Sequence, residues 1–303
     1  MKDFKHWGIR RRVVPECNYN SIWYNLKTVR LGSGEASELP PGRSEFYDIG
    51  INTKCNARCP WCYTNADRGG ENYSGIVRTW KDWIGSFPPD IQEGVSILTE
   101  KPFQVAIGST GEPTIHPEFC DLLQAIYESG VVPNYTTNGL ALSDRILEYT
   151  RDFCGAVAVS FGNKELRPQA KRAVQRLIKD GQVKVAIHHL ISDKNSVNEM
   201  LETAREYGPD IHYHVLLPLM KHGRSVSEME PSTFDYLQEK LLGESIENVA
   251  FGANFSKYLG ESKIKTWNYP PESLSKNIIL GNGKVTITPS SFNLTPIEIW
   301  KRH

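Results

Sequence analysis

The densest chemistry in the sequence is CNARCPWC, residues 55–62, which sets Cys55, Cys59 and Cys62 within eight positions. The next cysteine is Cys120, far downstream. Thiolates are soft ligands suited to zinc and to iron–sulfur clusters. A structural zinc site is closed by four protein ligands, whereas an open coordination position is what makes a metal centre reactive. Three thiolates can hold three irons of a [4Fe–4S] cluster and leave the fourth iron for another ligand. Zinc is the competing occupant, with His116 or Cys120 as a fourth ligand at a separation unlike compact zinc motifs. A third reading makes the three cysteines ordinary buried side chains.

Composition narrows the setting of that chemistry. The 303 residues carry 35 basic and 35 acidic side chains, which argues against a nucleic-acid binder that relies on a broad basic face. Arg10-Arg11-Arg12 is a local basic patch or, as short charge runs usually are, a solvated edge. No apolar run approaches the roughly 18 residues a membrane helix needs. MKDFKHWGIRRR lacks the apolar stretch of a secretory signal. Six unevenly clustered cysteines do not resemble a disulfide framework, so a cytoplasmic location is expected. Cys120 and Cys154 fall in or near helical patterns and read as small core residues.

The elements that must position the cysteines follow a strand–helix rhythm. Residues 1–45 read as an irregular N-terminal extension, with a hairpin through 21–30 and a turn-rich GSGEASELPPG linker. Residues 46–225 supply strands at 46–52, 104–110, 132–138, 156–162, 183–191 and 211–219. Helical patterns lie between them at 116–130, 143–153, 167–181 and 196–208. Residues 226–303 add a helix at 231–242, a strand at 248–255 and a hairpin at 277–291 turning at Gly281-Asn282-Gly283, with no cysteine for an auxiliary cluster. Alternating strands and helices imply βα units and a parallel sheet.

Side chains alternate along a strand. Each of the six strands reads as one apolar face and one small or polar face, although parallel strands covered on both sides are normally apolar throughout. That pattern favours a partial (β/α)6 barrel with helices outside and a roomy polar interior over a flat doubly wound sheet. Lys184, His188, His212 and His214 project into that interior on this reading, as substrate contacts or as hydrogen-bonded barrel residues. Arg224 in KHGR is a candidate for a substrate carboxylate or phosphate, or a solvated loop residue. The cysteines lie just after the first strand, at the sheet edge where ligands bind in α/β folds.

C-x3-C-x-aromatic-C after a first strand, here Cys55, Cys59, Trp61 and Cys62, resembles the radical S-adenosylmethionine (SAM) superfamily. GSTGEP (108–113), TTNG (136–139) and VSFG (159–162) follow in order and resemble its later motifs, with Thr110 where the first glycine of a glycine-glycine-glutamate-proline stretch usually stands. The resemblance covers about residues 47–224. It implies a single [4Fe–4S] cluster held by Cys55, Cys59 and Cys62, with SAM chelating the open iron. Trp61 would lie near the adenine, and Gly111 and Glu112 would meet the SAM amino group. Asn138, Ser160 and His188 would contact its carboxylate or ribose. It also implies reductive cleavage of SAM to a 5′-deoxyadenosyl radical that takes a hydrogen atom from the substrate, fed by a one-electron donor such as a flavodoxin or ferredoxin.

The substrate is expected to be a peptide or protein, with the N-terminal extension and C-terminal hairpin lining a groove. Alternatives are a nucleoside or small metabolite, and the glycine of a partner enzyme in the manner of an activase; nucleic acid is unlikely on charge. A different class altogether is an iron–sulfur or zinc protein without catalysis.

Overall fold

The structure is a computed structural model that describes residues 8–30, 44–244, 246, 248–255, 258, 275–288 and 297–302. Strands β1 (Ile9–Val14), β2 (Tyr19–Tyr24) and β3 (Lys27–Arg30) open the chain. The first barrel strand, β4 (Phe46–Gly50), is followed by helix α1 (Ile76–Gly85) and a short hairpin of β5 (Ile91–Glu93) and β6 (Ser96–Leu98). The βα rhythm then runs β7 (Gln104–Ile107), α2 (Phe119–Glu128), β8 (Val132–Thr137), α3 (Asp144–Phe153), β9 (Ala156–Ser160) and α4 (Arg167–Asp180). It continues with β10 (Lys184–Ile191), α5 (Lys194–Tyr207), β11 (Tyr213–Pro218), α6 (Pro231–Gly243) and β12 (Val249–Phe251). Strands β13 (Ser275–Gly281), β14 (Lys284–Thr288) and β15 (Ile297–Lys301) end the described chain.

Two sheets result. The larger has the order β12-β11-β10-β9-β8-β7-β4-β13-β14-β15. Its six central strands are parallel, in chain order, as a partial barrel requires. The C-terminal hairpin is part of this sheet, because β13 pairs in parallel with β4. Its turn falls at Asn282 and Gly283, both with positive φ, and the Asn282 amide oxygen accepts hydrogen bonds from the backbone and hydroxyl of Ser74 just before α1. The turn is therefore fixed both by its own chemistry and by a docking contact. Helix starts obey the same local logic: Ser143 caps α3 through Ile146 N–H, and Asp193 with Ser196 forms a capping box on α5.

The helix-side faces of the strands bury Tyr47, Ile49, Val105, Ile107, Tyr135, Val157, Val159, Val185 and Ile187 in one core. The opposite faces of the central strands line the interior with small groups. In register across them run Gly50, Gly108, Thr136, Ala158 and Ala186.

The smaller sheet, β3-β2-β1-β6-β5, corrects the irregular reading of the N-terminal segment. Arg10 and Arg12 are buried rather than solvated. Arg12 donates to the carbonyl oxygens of Glu100 (2.9 Å) and Lys101, and its guanidinium lies 5.2 Å from the Phe103 ring centre. Trp23 stacks on Phe103 over Val132. Only Arg11 of the triplet is partly exposed, near Glu93. The Arg12 and Trp23 contacts lie at the N-terminal ends of β7 and β8. The β2–β3 turn, Asn25-Leu26, seals that end: Leu26 abuts Gly155, and the Asn25 carbonyl accepts from Lys184 Nζ at 3.4 Å. The N-terminal sheet thus plugs the barrel floor and does not line a groove beside the cysteines.

Candidate functional site

Cys55, Cys59 and Cys62 occupy the loop after β4, at the C-terminal mouth of the barrel. The loop is folded by its own backbone: Cys55 N–H donates to Asp67 O, Cys62 N–H to Cys59 O and Asn65 N–H to Cys62 O. Arg224 clasps it from the far side of the sheet. Its Nε donates to Cys59 O (2.9 Å), its Nη2 to Ala66 O (2.7 Å) and its backbone N–H to Cys62 O. Gly223, at φ +60°, lets this segment press on the loop, since a Cβ there would stand 2.4 Å from Cys62 O. Arg224 is therefore occupied in holding the cysteine loop rather than reaching outward to a substrate.

Burial pushes the Cys55 thiol up to about 11 and the Cys59 thiol upward, the first opposed by a hydrogen bond from Ala57 N–H and the second by one from Asn163 and by the Arg224 charge. Polar groups converge on the sulfurs. Asn138 Nδ2 lies 3.7 Å from Cys55 Sγ and Asn163 Nδ2 lies 3.6 Å from Cys59 Sγ. Cys62 Sγ lies 3.3 Å from the Thr64 hydroxyl, which itself donates to Thr110 O at 2.6 Å.

Glu112 is buried and holds the neighbouring loops together. Its Oε1 accepts from Thr114 N–H, Thr114 Oγ1 and Thr137 Oγ1, and its Oε2 from Asn138 N–H at 2.8 Å. Burial raises its carboxyl above the usual range, and these hydrogen bonds oppose the rise. Its backbone N–H donates to Lys54 O, so it ties the β7 loop to the cysteine loop as well. Gly111 is packed where a Cβ would meet Asn52 and Lys54 at about 2.4–2.5 Å. Thr110 fits because Gly50 has no side chain: a Cβ on Gly50 would lie 2.4 Å from Thr110 Oγ1. Trp61 stands beside Gly162, its Nε1 3.4 Å from where a side chain would begin.

Ser160 and His188 pair in register on the interior face. Burial lowers the His188 imidazole to about 4, so it is neutral at physiological pH.

The other sequence candidates lie elsewhere. Lys184 points to the barrel floor, bonded to Asn25. His214 pairs with Ile187 and shares a strand face with Leu216, which packs in the helix-side core, so it faces the helices and not the interior. It is fully buried, with its Nδ1 3.0 Å from His189 Nε2. Its placement inverts the expected phase of that strand, whose interior face carries Val215 and Leu217. His212 precedes the strand, with its ring 4.4 Å from that of Tyr213. Asn163, Thr64 and Gly223 were missed by sequence reasoning; Asn163, directly after VSFG as Asn138 is in TTNG, was the legible one.

The donor set suits an iron–sulfur cluster: three sulfurs at an open mouth, two with amide N–H groups turned toward them. Among the described residues no three His, Cys, Asp or Glu side chains converge as the ligands of a single ion would. The distant ligands a zinc site would need are committed. His116 bonds Tyr73 O and Glu118 N–H, and Cys120 is packed in the core from α2.

The fold has clear counterparts among solved structures. Streptococcus suis SuiB bound to S-adenosylmethionine superposes with a TM-score of 0.61 at 14% identity, covering 84% of this chain and 63% of SuiB. The fold is that of the radical SAM enzymes. anSMEcpe with bound AdoMet gives a TM-score of 0.55 at 13% identity, covering 82% of this chain and 75% of that one. The radical SAM fold thus accounts for the six-strand core, and the cysteine loop sits at its open mouth. By sequence, a curated relative, the tungsten-containing aldehyde ferredoxin oxidoreductase cofactor-modifying protein of Pyrococcus furiosus, is 25% identical over 133 residues. That match covers 43% of this chain, which spans about a third of the relative's length. No family model matches the sequence.

Proposed function

We propose that the protein is a radical SAM enzyme carrying one [4Fe–4S] cluster on Cys55, Cys59 and Cys62. The observation that carries this is the position of the three thiols, with no fourth protein ligand among the described residues, at the open mouth of a barrel shared with SAM-bound structures. When bound, the cluster and SAM supply one-electron reductive cleavage and a 5′-deoxyadenosyl radical for hydrogen-atom abstraction.

The chain's own residues give that chemistry its place. Thr136, Ala158 and Ala186, in register on the interior face, form a wall of small groups against which the adenosyl group would lie. Trp61 would flank the adenine, and the edge of the β7 loop at Gly111 and Glu112 would offer backbone groups to the SAM amino group. Ser160 and neutral His188 offer hydrogen bonds to its carboxylate or ribose without adding charge. Asn138 stays on that list only through its backbone carbonyl, which can accept from a ribose hydroxyl, since its backbone N–H goes to Glu112 and its amide to Cys55 and Asn56. The plugged floor leaves the mouth as the entrance, so a substrate covering it excludes water.

A peptide or protein substrate is favoured, because SuiB with its precursor peptide SuiA, and anSMEcpe with the Cp18Cys peptide, share the fold. A second reading, modification of a small cofactor, is favoured by the name of the Pyrococcus furiosus relative. A flavodoxin or ferredoxin would supply the electron. Among the described residues no helix is long and apolar enough to cross a membrane.

The test is anaerobic reconstitution with iron and sulfide, addition of SAM and dithionite, and mass-spectrometric assay of 5′-deoxyadenosine. Product is expected from the wild type and from Cys120→Ala, and none from Cys59→Ala, which should also lose iron. Equal iron loss in both variants refutes the ligand assignment.

A further inference from the structure

Asn138 and Asn163 stand at equivalent places, just past the C-terminal ends of the adjacent strands β8 and β9. Each uses its side chain in the same way. The Asn138 Oδ1 accepts from the N–H of Leu140 at 2.9 Å, and the Asn163 Oδ1 accepts from the N–H of Glu165 at 3.0 Å. Both are turns in which the amide oxygen is satisfied by the backbone two residues on. That commitment fixes which end of each amide is which, because a flipped amide would set NH2 against a backbone N–H.

The NH2 groups are thereby aimed at sulfur. Asn138 Nδ2 has two hydrogens, one for Asn56 Oδ1 at 2.8 Å and one for Cys55 Sγ. Asn163 Nδ2 reaches Cys59 Sγ. Cys62 is treated differently: the single hydroxyl hydrogen of Thr64 goes to Thr110 O, so in that pair the thiol is the donor.

We infer that Asn138 and Asn163 tune the cluster, each donating an amide N–H to one of its cysteine sulfurs and so raising its reduction potential. This rests on the cluster assignment under the proposed function. An N–H donor stabilises negative charge on thiolate sulfur, and the reduced cluster carries one more negative charge than the oxidised one. Removing a donor therefore makes reduction harder. Asn138 thus has a side-chain role distinct from contact with SAM, and Asn163 shares it.

The test is an EPR-monitored redox titration of the reconstituted protein and of Asn163→Asp, Asn163→Ala and Asn138→Ala, with iron and sulfide content measured on each sample. Asn163→Asp keeps the oxygen that accepts from Glu165 N–H, so the turn survives while the donor is lost. Each variant is expected to retain a full cluster and to show a midpoint potential below that of the wild type, with Asn163→Asp lowest because it also brings a negative charge. A potential equal to the wild type in a fully loaded Asn163→Asp overturns the inference. Should the alanine variants lose iron, Asn163→Ser, which keeps an oxygen for the Glu165 N–H without adding charge, takes their place: a lowered potential supports the inference and an unchanged one overturns it. A wild-type protein that takes up no cluster would remove the proposed function itself, and the inference with it, a result separable from an unchanged potential.

Discussion

Replacing Arg224 by alanine removes the two side-chain hydrogen bonds that fasten Cys59 O and Ala66 O, the two carbonyls that bracket the second half of the cysteine loop. Hydrogen bonds from a charged donor contribute about 1.5–3 kcal/mol each. Arg224 is only half-buried, so solvent screening keeps the pair near the lower end, about 3 kcal/mol together. At roughly 1.4 kcal/mol per decade, that raises the population of the opened loop about a hundredfold. The consequence is local. Amide exchange of the unloaded protein, followed by mass spectrometry on peptides spanning residues 55–66, should accelerate by that order at the protected amides of Cys55, Cys62 and Asn65. Arg224→Lys should fall between wild type and alanine, because one ammonium cannot span both carbonyls as a guanidinium fork does. Cluster retention during desalting should decline in the same order. Exchange in this peptide unchanged by Arg224→Ala would refute the clamp, and a raised KM for substrate in the same variant would restore the outward-reaching role.

Two further outcomes follow from packing and from charge. Gly50→Ala should destabilise by about 1–3 kcal/mol, because its Cβ enters the space of the Thr110 side chain, and Thr110→Gly added to it should restore most of the loss in a thermal-melt double-mutant cycle. The histidines set an acid limit. Burial holds His188 and His214 at about 4, and His189 well below its ordinary value, so the unfolded chain binds more protons than the folded one below about pH 6.5. Stability from these groups is present above about pH 6.5 and is lost as pH falls toward about 4, at up to about 1.4 kcal/mol per pH unit for each. Urea midpoints of the unloaded protein should fall between pH 7 and 5, and His188→Gln should make that fall shallower by one group's share.

What the sequence disclosed, and what it hid, divides along the range of the interactions involved. The spacing of Cys55, Cys59 and Cys62 is a signal written within a few residues; so are the alternation in β4 and β7 to β10 and the Asn282-Gly283 turn, and these last two survive in the structure. The burial of Arg12 was hidden because its partners, Glu100, Lys101 and Phe103, lie some ninety residues on; a charged residue at such a position reads as solvated until its acceptors are known. The phase of β11 failed for the same reason. Alone, HVLLPL assigns its histidine to the polar face. The neighbouring strand supplies His189, and the two imidazoles share a hydrogen bond of 3.0 Å on the helix side. Val215 and Leu217 are thereby turned to the interior.

Thr110 and Gly50 make the deeper case. At position 110 a threonine reads as a departure from the usual glycine, and at 50 a glycine reads as one small residue on the polar face of the first strand. Neither reading contains the other residue. In the fold the missing side chain at 50 is the room the threonine occupies, and the threonine hydroxyl then donates to Asn52 O at 2.5 Å, on the segment leading into the cysteine loop. Arg224, Glu112 and the two asparagines act likewise, each reaching that loop or its sulfurs from a different strand end. The three cysteines announce the site, but its shape is imposed by four loops folding onto one, so the residues that govern it are recognisable only by what they touch.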